Sequence, residues 1–449
     1  MTETTVVTRR SRSVSPEKST EFRFTDNDIP SDNGLQSFAA YRQQAWKTFS
    51  EKSLPNTKEE AWRRTDLAQL DPAQYQLAKP GAYLDLPSAP DELLKPLTDK
   101  DQGGQIVLYG GSSTINVAKE ITQKGVVFTT LEEAQKSHPE LLQKYLGKIV
   151  KAEEGKFPSL VHALAQDGIF LYVPKGVTVE EPLHSILWGA GLQTAYLSHI
   201  VVVLEDGAEA TYIHEAASPE EADQSAMHAG IVEIQVGENA NLHFVELQSF
   251  GKNVWNFSNE RARIERNGNI DWIFGAIGSH VTKNFTDLDL VGEGSVGKMS
   301  GFYFTNGKQH LDHDTQQNHM APHTTSDLLF KGALLGESHS VWQGMIYVAP
   351  GAAKTDGYQA NRNLVLSKHS HADSIPGLEI LADDVRCTHG ATVGKIDQDE
   401  VFYLLSRGIP KKEAERLIVE GFFDPIMQRI PYEGVRSRFQ QYVHNKMAD

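Results

Sequence analysis

The feature that most constrains the fold is a series of short β-rich runs between residues 168 and 392, each ended by a turn of Gly, Asn, Asp or Ala. The runs lie at 200–204, 231–236, 262–264, 288–291, 345–348 and 378–381. If Ala208, Ala240, Asn269 and Ser295 occupy equivalent turn positions, successive turns are 32, 29 and 26 residues apart, and Ala352 follows two periods later, after 57 residues. The sequence therefore predicts an imperfect repeat of about 29 residues.

Strands that recur at such a period without helices between them are typical of a β-solenoid, in which each turn stacks on the previous one. An antiparallel sandwich built from hairpins is the alternative, and Asn267-Gly268 is a favourable hairpin turn. The regular period favours the solenoid only slightly, so the residues alone leave both architectures open.

Helical spacing flanks the β-rich region. Apolar residues three or four apart predict helices over 35–49 and 131–146, with a strand at 107–109 between them. After the β-rich region, Pro410 precedes a helix over 411–419, and a last helix follows over 435–447. Because the end turns of a solenoid present unpaired strands, we expect these helices to cover them.

These patterns divide the chain into four segments. The first is rich in Ser, Thr, Arg and Asp without hydrophobic periodicity, which is typical of a disordered tail. The predicted segments are a disordered tail over 1–33, a mostly helical domain over 34–158, the β-rich core over 159–396 and a C-terminal helical domain over 397–449.

The charge balance excludes some classes of partner. The chain of 449 residues carries 43 Lys and Arg against 59 Asp and Glu, a formal net charge of −16, which disfavours nucleic acids and anionic membranes. No run of 18 apolar residues and no secretory signal is present, and a single cysteine suits a reducing compartment. We therefore expect a soluble protein of a reducing compartment with protein or metal partners. The bacterial cytoplasm is the favoured location, and the basic residues Arg9, Arg10 and Arg12 of the N-terminal tail make the plastid stroma the alternative.

The single cysteine, Cys387, lies two residues before His389 in a stretch that alternates like a β-strand. Alternate residues of a strand share a face, so we expect the thiol and the imidazole to point the same way. Sulfur and nitrogen ligands together are typical of a transition-metal or iron-sulfur site, although two ligands do not complete one. The sequence leaves open whether Cys387 is a ligand or a buried structural thiol.

A second group of ligand-type residues comprises His310, His313, His319 and His323, with Asp312 and Asp314 among them. Imidazole and carboxylate together suit several divalent metals. Residues three apart on a strand face opposite sides, however, and hydrogen-bonded polar rows are common inside solenoids. We therefore favour a structural polar ladder over a metal site, without deciding between them.

Two glycine-rich motifs resemble nucleotide-binding sites but lack essential parts. Gly292-x-Gly294-x-x-Gly297 is followed by a strand-like stretch at 299–304 instead of a helix. The stretch over 390–395 has three residues between its glycines instead of four, and Ile396 stands where Ser or Thr would bind magnesium. We therefore predict that the chain has no ATPase motif of its own.

Longer motifs resemble the SufB/SufD family of iron-sulfur cluster assembly scaffold proteins. The resemblance rests on residues 378–394 with the Cys387-x-His389-Gly390 motif, and on 402–404, 406–409, 319–326, 167–177 and 54–67. Within the family the chain resembles the SufD branch: it has Asn361 in the strand where SufB carries a cysteine, and Gly390 where SufB has a glutamate.

The resemblance implies a mainly β fold, a right-handed parallel β-helix flanked by N-terminal and C-terminal helical domains. It implies a non-catalytic scaffold that pairs with SufB through the C-terminal ends of the two β-helices and binds the ATPase SufC through its C-terminal helical domain. The implied partner contacts are Arg407, Leu417, Phe422 and Phe423. A transient iron-sulfur cluster would form at the SufB/SufD junction, with His389 and Cys387 as ligands.

The resemblance does not decide whether a flavin belongs to the complex. A β-helix carbohydrate-active enzyme and a structural homodimer are the alternative functions, because a solenoid face can carry carboxylates and a solenoid edge can pair with a second copy of itself.

Overall fold

The computed structural model describes residues 21–30, 36–78, 88–95, 102–189, 193–219 and 224–448. Most of the predicted disordered tail over 1–33 lies outside the described residues. None of the described helices is long and apolar enough to cross a membrane.

The described part of the chain contains twenty strands and nine α-helices. The strands are β1 (Gln76–Leu77), β2 (Gly104–Leu108), β3 (Ser113–Val117), β4 (Val127–Thr130), β5 (Asp167–Val173), β6 (Leu183–Trp188), β7 (Thr194–Leu204), β8 (Glu209–Ala217), β9 (Ala226–Val236), β10 (Asn241–Ser249), β11 (Val254–Ile264), β12 (Asn269–Ala276), β13 (Val281–Leu290), β14 (Val296–Thr305), β15 (His310–His319), β16 (Thr325–Leu334), β17 (His339–Val348), β18 (Asp356–Val365), β19 (His371–Ile380) and β20 (Arg386–Lys395). The helices are α1 (Gln36–Glu51), α2 (Asp91–Leu94), α3 (Lys119–Gln123), α4 (Leu131–Ser137), α5 (Pro139–Tyr145), α6 (Lys156–Leu164), α7 (Gln398–Leu405), α8 (Lys411–Met427) and α9 (Glu433–Ala448).

Two long sheets form the body of the molecule. Sheet A has the order β19-β17-β15-β13-β11-β9-β7-β5-β4, and sheet B has the order β20-β18-β16-β14-β12-β10-β8-β6-β2-β3. From β5 onward, consecutive strands alternate between the sheets and all neighbours within a sheet are parallel, so the chain coils through about eight turns. The fold is a parallel β-solenoid, and the antiparallel sandwich is wrong.

The repeat has a conformational cause in the turn that follows each sheet A strand. At least one residue in each of these turns adopts a positive φ angle, the left-handed region that ends a strand and that Gly and Asn tolerate best. These residues are Gly176, Gly207, Asn239, Asn267, Gly294, His323, Lys354 and Asp384, and the turn after β17 has a second one, Gly351. Turn residues with this conformation therefore separate the successive strands.

The strand register corrects the predicted alignment of the turns in detail. Asn269 pairs with Asn241, so Gly268 and not Asn269 is equivalent to Ala240. The true turn length still varies, because Phe244 is paired with Trp272 and Trp272 with Met299, at spacings of 28 and 27 residues. All six predicted runs fall in sheet A, whereas most sheet B strands were not recognised.

The interior of the solenoid is apolar along most of its length. Tyr212, Phe244, Trp272, Met299 and Leu328 stack in register through sheet B, and each is essentially fully buried. Aromatic and aliphatic side chains that stack between turns remove large apolar areas from water, which stabilises the solenoid. In the last two turns the same row continues as a polar pair, Gln359 and His389.

Helices cover the outer faces of the two sheets. Helices α1 and α6 and Trp62 pack on sheet A. Helices α8 and α9 pack on sheet B, where the Phe439 ring lies 4.3 Å from that of Phe302 and 4.8 Å from that of Phe423. The predicted helix over 131–146 is two helices, α4 and α5, because Pro139 begins the second one.

The two ends of the solenoid differ. At the first turn, β3 and β4 pair antiparallel with their neighbours and finish both sheets. At the last turn, β19 and β20 each pair on one side only within the described residues. The expectation that the C-terminal helices cover this end is wrong, since they lie along the outer face of sheet B.

Candidate metal and partner site at the last turn

The candidate site lies on β20, the free edge strand of sheet B. Cys387 and His389 lie in register with Gly357 and Gln359 of β18. Both therefore point towards the side that forms the solenoid interior in earlier turns, as the alternating pattern predicted. The structure brings the two predicted ligands to one face of one strand but gives them different surroundings.

The Cys387 thiol is half-buried against Ile346, Val348 and Ala352. Burial raises the pKa of this thiol, and the nearby Asp356 carboxylate acts in the same direction. The thiol is therefore protonated at neutral pH in the free chain. A metal or cluster would have to displace that proton, because the thiolate is the ligand form.

The His389 ring is exposed at the open end of the solenoid. No described strand pairs with β20 on its free side, so no following turn covers the ring. An imidazole in this position can approach a group carried by another molecule without a change in the backbone.

Two amide side chains fill the interior behind the site. The Gln359 amide donates to the Gly377 carbonyl at 2.9 Å. Asn361 accepts from Asn363 at 2.6 Å and from the Ser374 hydroxyl, and it donates to the Tyr303 hydroxyl at 3.2 Å. Because both polar atoms of Asn361 are engaged, this residue is a structural amide and not a ligand.

The four histidines between 310 and 323 do not converge. His310 faces the outside of sheet A, whereas His313 and His319 face the interior, and His323 is an exposed turn residue with a φ of 58°. Burial lowers the pKa of His313 to about 3 and that of His319 to about 4, so both are neutral. His319 contacts the Thr324 and Ser326 hydroxyls at 2.7 and 2.8 Å, and the four rings do not share one face on which a single ion could bind.

The two aspartates of that group belong to a buried ion-pair network on the outer face of sheet A. The Lys283 ammonium lies 3.0 Å from the Asp312 carboxylate and 3.8 Å from that of Asp314. The Thr65 hydroxyl donates to Asp312 at 2.5 Å. This network joins two strands, β13 and β15, and the N-terminal region.

The predicted partner contacts on the C-terminal helices have unequal exposure. Arg407 and Leu417 are exposed and Phe422 is half-buried, but Phe423 is completely buried. Phe423 packs between sheet B and Phe439, so it does not contact a partner while this packing holds. Its assignment as a contact residue is therefore wrong.

Helix α7 exposes apolar residues that were not assigned as contacts. Phe402 is 69% exposed and Tyr403 is 54% exposed, and Leu405 is also exposed. The Arg407 guanidinium lies 3.6 Å from the centre of the Tyr403 ring, a cation–π contact that joins this group to Arg407. Residues 402–404 belong to the motifs that carry the family resemblance, so the sequence already indicated that this helix is functionally important.

These observations define a class of protein: a parallel β-solenoid whose last turn is unfinished and presents a thiol and an imidazole, with an exposed apolar helix beside it. The comparisons with known proteins identify the family. The SufBD core domain of the SUF iron-sulfur cluster assembly system matches residues 187–422, and the SufBD N-terminal region matches 22–184. The chain belongs to the SufBD family of iron-sulfur cluster assembly proteins.

Individual relatives agree with this assignment. The iron-sulfur cluster assembly protein SufD of Bacillus subtilis is 32% identical over 335 residues, which are 74% of this chain and 76% of that protein. An iron-sulfur cluster assembly SufBD family protein of Staphylococcus epidermidis is 30% identical over 321 residues, 71% of this chain and 68% of that protein. These matches support iron-sulfur cluster assembly over the alternative of a carbohydrate-active enzyme.

Proposed function

We propose that the chain is the SufD-type, non-catalytic subunit of a SufB–SufC–SufD complex. Its last turn joins the end of the SufB solenoid, and a nascent iron-sulfur cluster, the cargo of the assembly reaction, forms at that junction. SufC supplies ATP hydrolysis, and movement of the helices that it contacts rearranges the junction. The proposed location is the bacterial cytoplasm.

The open last turn is the observation that carries the proposal. Leu378, Ile380 and Val393 are between 37% and 50% exposed, although the corresponding rows are buried in preceding turns. Contiguous exposed apolar side chains beside a free strand edge favour association with another protein. A second solenoid that continues the two sheets would cover these side chains.

The two free edges are not equivalent. The His371 amide donates to Ser338, so the nitrogens of even-numbered β19 residues face the free edge, and one of these residues is Pro376. Proline has no amide hydrogen and interrupts strand pairing there. In β20 the Arg386 amide donates to Thr355, which leaves the amides of Cys387, His389, Ala391 and Val393 facing outward. We therefore assign the main strand pairing to β20.

His389 and Cys387 would contribute ligands from this side of the junction. Their amides and side chains lie on the same edge strand, so pairing of β20 brings them next to the partner's groups. The remaining cluster ligands would come from SufB. Because the pKa of Cys387 is raised by burial, protons compete with its coordination, and cluster binding should weaken as the pH falls.

SufC would contact the exposed surface formed by α7 and the start of α8. This surface comprises Phe402, Tyr403, Leu405, Arg407 and Leu417. Exposed aromatic side chains beside an arginine are typical of the centre of a protein interface. Phe422 lies at its margin.

A substitution at His389 tests the cluster role. The chain would be co-expressed with SufB and SufC and reconstituted anaerobically, with iron, sulfide, visible absorption and complex size measured together. We expect His389→Ala to keep the complex and lose most of the cluster. The matched control is Thr388→Ala, on the opposite face of the same edge strand. Equal cluster content in the two variants would contradict a ligand role for His389.

A proline on the free edge tests the pairing. Ala391→Pro removes an amide that faces outward and retains the hydrogen bonds to β18. We expect Ala391→Pro to keep the normal stability of the free chain but to lose the SufB complex. The control Ala391→Gly should keep the stability and the complex. Retention of the complex by Ala391→Pro would exclude β20 pairing. Loss of a homodimer in the free chain, with the SufB complex intact, would favour the homodimer alternative.

A further inference from the structure

Three histidines stack in register on the outer face of sheet A, in the last turns of the solenoid. His310 pairs with His339 and His339 with His371, each at the start of its strand. The ring centres are 4.8 Å and 5.2 Å apart. The register therefore makes a continuous row of imidazoles from residues that are 29 and 32 positions apart in the sequence.

A carboxylate closes this row at the exposed end. Asp373 lies two residues after His371 and on the same face of β19. Its two oxygens lie 3.1 Å from Nε2 of His339 and 3.0 Å from Nε2 of His371. One ligand atom from each of His339, His371 and Asp373 lies within 4.8 Å of the others.

We propose that His339, His371 and Asp373 form a binding site for a divalent first-row transition-metal ion. Two imidazoles and one carboxylate suit zinc and iron(II), and neither of these metal ions requires a thiolate ligand. Ligands at about 2.1 Å from a tetrahedral zinc ion lie about 3.4 Å apart. Each histidine Nε2 lies 3.0 or 3.1 Å from a different Asp373 oxygen, and one donor atom from each residue lies within 4.8 Å of the others, so side-chain rotations would bring the three donors to that spacing.

The hydrogen bonds behind the site orient His339 for this role. The Thr65 hydroxyl donates to Asp312 at 2.5 Å, so its oxygen accepts from Nε2 of His310 at 2.9 Å. A neutral His310 then presents a lone pair at Nδ1, which accepts from Nδ1 of His339 at 3.1 Å. Support of a ligand ring by a second hydrogen bond is typical of metal sites.

This chain of hydrogen bonds leaves the Nε2 atom of His339 facing the Asp373 carboxylate. A bare nitrogen lone pair and a carboxylate oxygen repel each other at 3.1 Å unless a cation lies between them. The cation is either a proton, which makes an imidazolium–carboxylate ion pair, or a metal ion. The His371 nitrogen on the other side of the carboxylate gives the metal ion a further ligand that a single proton does not use.

The site is open to solvent on its outer side. The His371 side chain is 69% exposed, and those of His339 and Asp373 are 30% and 35% exposed. Water or a ligand from a second protein can therefore complete the coordination. The metal site is separate from the Cys387 and His389 pair, which lies on the interior side of sheet B.

The test is a metal titration of the tag-free, full-length chain in a Cys387→Ser, His389→Ala background, in which that pair supplies no ligand. Calorimetry with Zn²⁺, and anaerobically with Fe²⁺, would measure affinity and stoichiometry, and elemental analysis would count the retained metal. We expect one ion per chain and at least a tenfold loss of affinity in His371→Ala and in Asp373→Asn. His371 is exposed, so its substitution should not prevent folding.

The matched control is His369→Ala, which removes another exposed histidine two residues earlier. It should bind the ion like the background. Equal affinity in His369→Ala, His371→Ala and Asp373→Asn would overturn the proposal, as would the absence of binding in the background. Either result would leave the proposed cluster role of His389 untouched, because that residue is absent from the titrated chains.

Discussion

The body of the solenoid and its last turn have the same strand architecture but use the same residue types differently. In the body, histidines such as His214, His228 and His313 are fully buried. In the last turns, His371 and His389 are exposed. The difference arises because each turn is covered by the next one, and the last turn has none. Side chains that would be structural in the body are therefore available for binding at the end.

Two carboxylates show the same contrast. Glu233 accepts from His199 at 2.9 Å and from the amides of Gly147, Ile149 and Val150 at 2.6 to 2.9 Å. Asp373 also lies beside histidines, at 3.0 and 3.1 Å, but it is partly exposed. Glu233 fixes the N-terminal region on sheet A, whereas Asp373 retains an outer side on which an ion can bind.

The largest expected effect is the loss of unfolding free energy at low pH, which the buried histidines of the solenoid body cause. Burial lowers the pKa of His214 and His313 to about 3 and that of His228 to about 4. In the unfolded chain each of these histidines binds a proton near pH 6.5, whereas in the folded chain it stays neutral. Their contribution to the unfolding free energy is therefore complete above pH 6.5 and is lost as the pH falls towards 3. We expect each histidine to remove about 2 kcal/mol of unfolding free energy between pH 6.5 and 5. Denaturant unfolding at pH 7.5, 6.5, 5.5 and 5 would measure it.

Matched variants locate that pH dependence. His313→Gln should reduce the slope by about 1.4 kcal/mol per pH unit, since the unfolded chain then binds one proton fewer than before. His369→Gln makes the same change at an exposed position and is the control variant. A flat stability profile between pH 7.5 and 5 would contradict the assignment of the body histidines as buried neutral groups.

The next largest effect is expected at Glu233. Burial opposes its ionisation, but the hydrogen bond and charge of His199 together with the amide hydrogen bonds lower its pKa below the usual value. Glu233→Ala leaves one buried and two half-buried amides and a buried histidine without their acceptor, so we expect the unfolding free energy to fall by about 3–5 kcal/mol. Asp373→Ala, at the partly exposed carboxylate, should cost under about 1 kcal/mol. Similar losses in the two variants would remove the contrast between body and end.

Much of the fold was predictable because its cause is local. Left-handed turn residues such as Asn239 and Asn267 interrupt β-rich runs at a regular period, and the period indicates stacked turns. Sheet B was mostly missed because its strands, such as β10 and β12, contain aromatic, charged and glycine residues without clear alternation. Parallel strands buried on both faces do not show a simple two-residue pattern.

The candidate sites divide in the same way. Cys387 and His389 are two residues apart on one strand, so the sequence places them together. His339 and His371 meet only through the strand register, and turn lengths that vary between 26 and 32 residues conceal it. The spacing of His310, His339 and His371 by about one repeat was the available signal. The burial of Phe423 was not predictable, because an amphipathic helix does not reveal which surface covers its apolar face.

The smallest expected effect on the free chain is at Val393, and it is the sharpest test of the contrast. Val393 is 50% exposed on the free edge strand, whereas Val202 is fully buried in the solenoid interior. Val202→Ser should cost about 2–3 kcal/mol, because it removes buried apolar area and leaves a buried hydroxyl.

Val393→Ser should change the unfolding free energy of the free chain by no more than about 0.5 kcal/mol. If SufB covers the last turn, the same substitution should weaken the complex about tenfold, since burial of a valine side chain contributes about 1.5 kcal/mol. Denaturant unfolding and titration with SufB would measure the two effects separately. A destabilised free chain would mean that the last turn is already covered by its own residues, and an unchanged affinity would mean that the partner binds elsewhere.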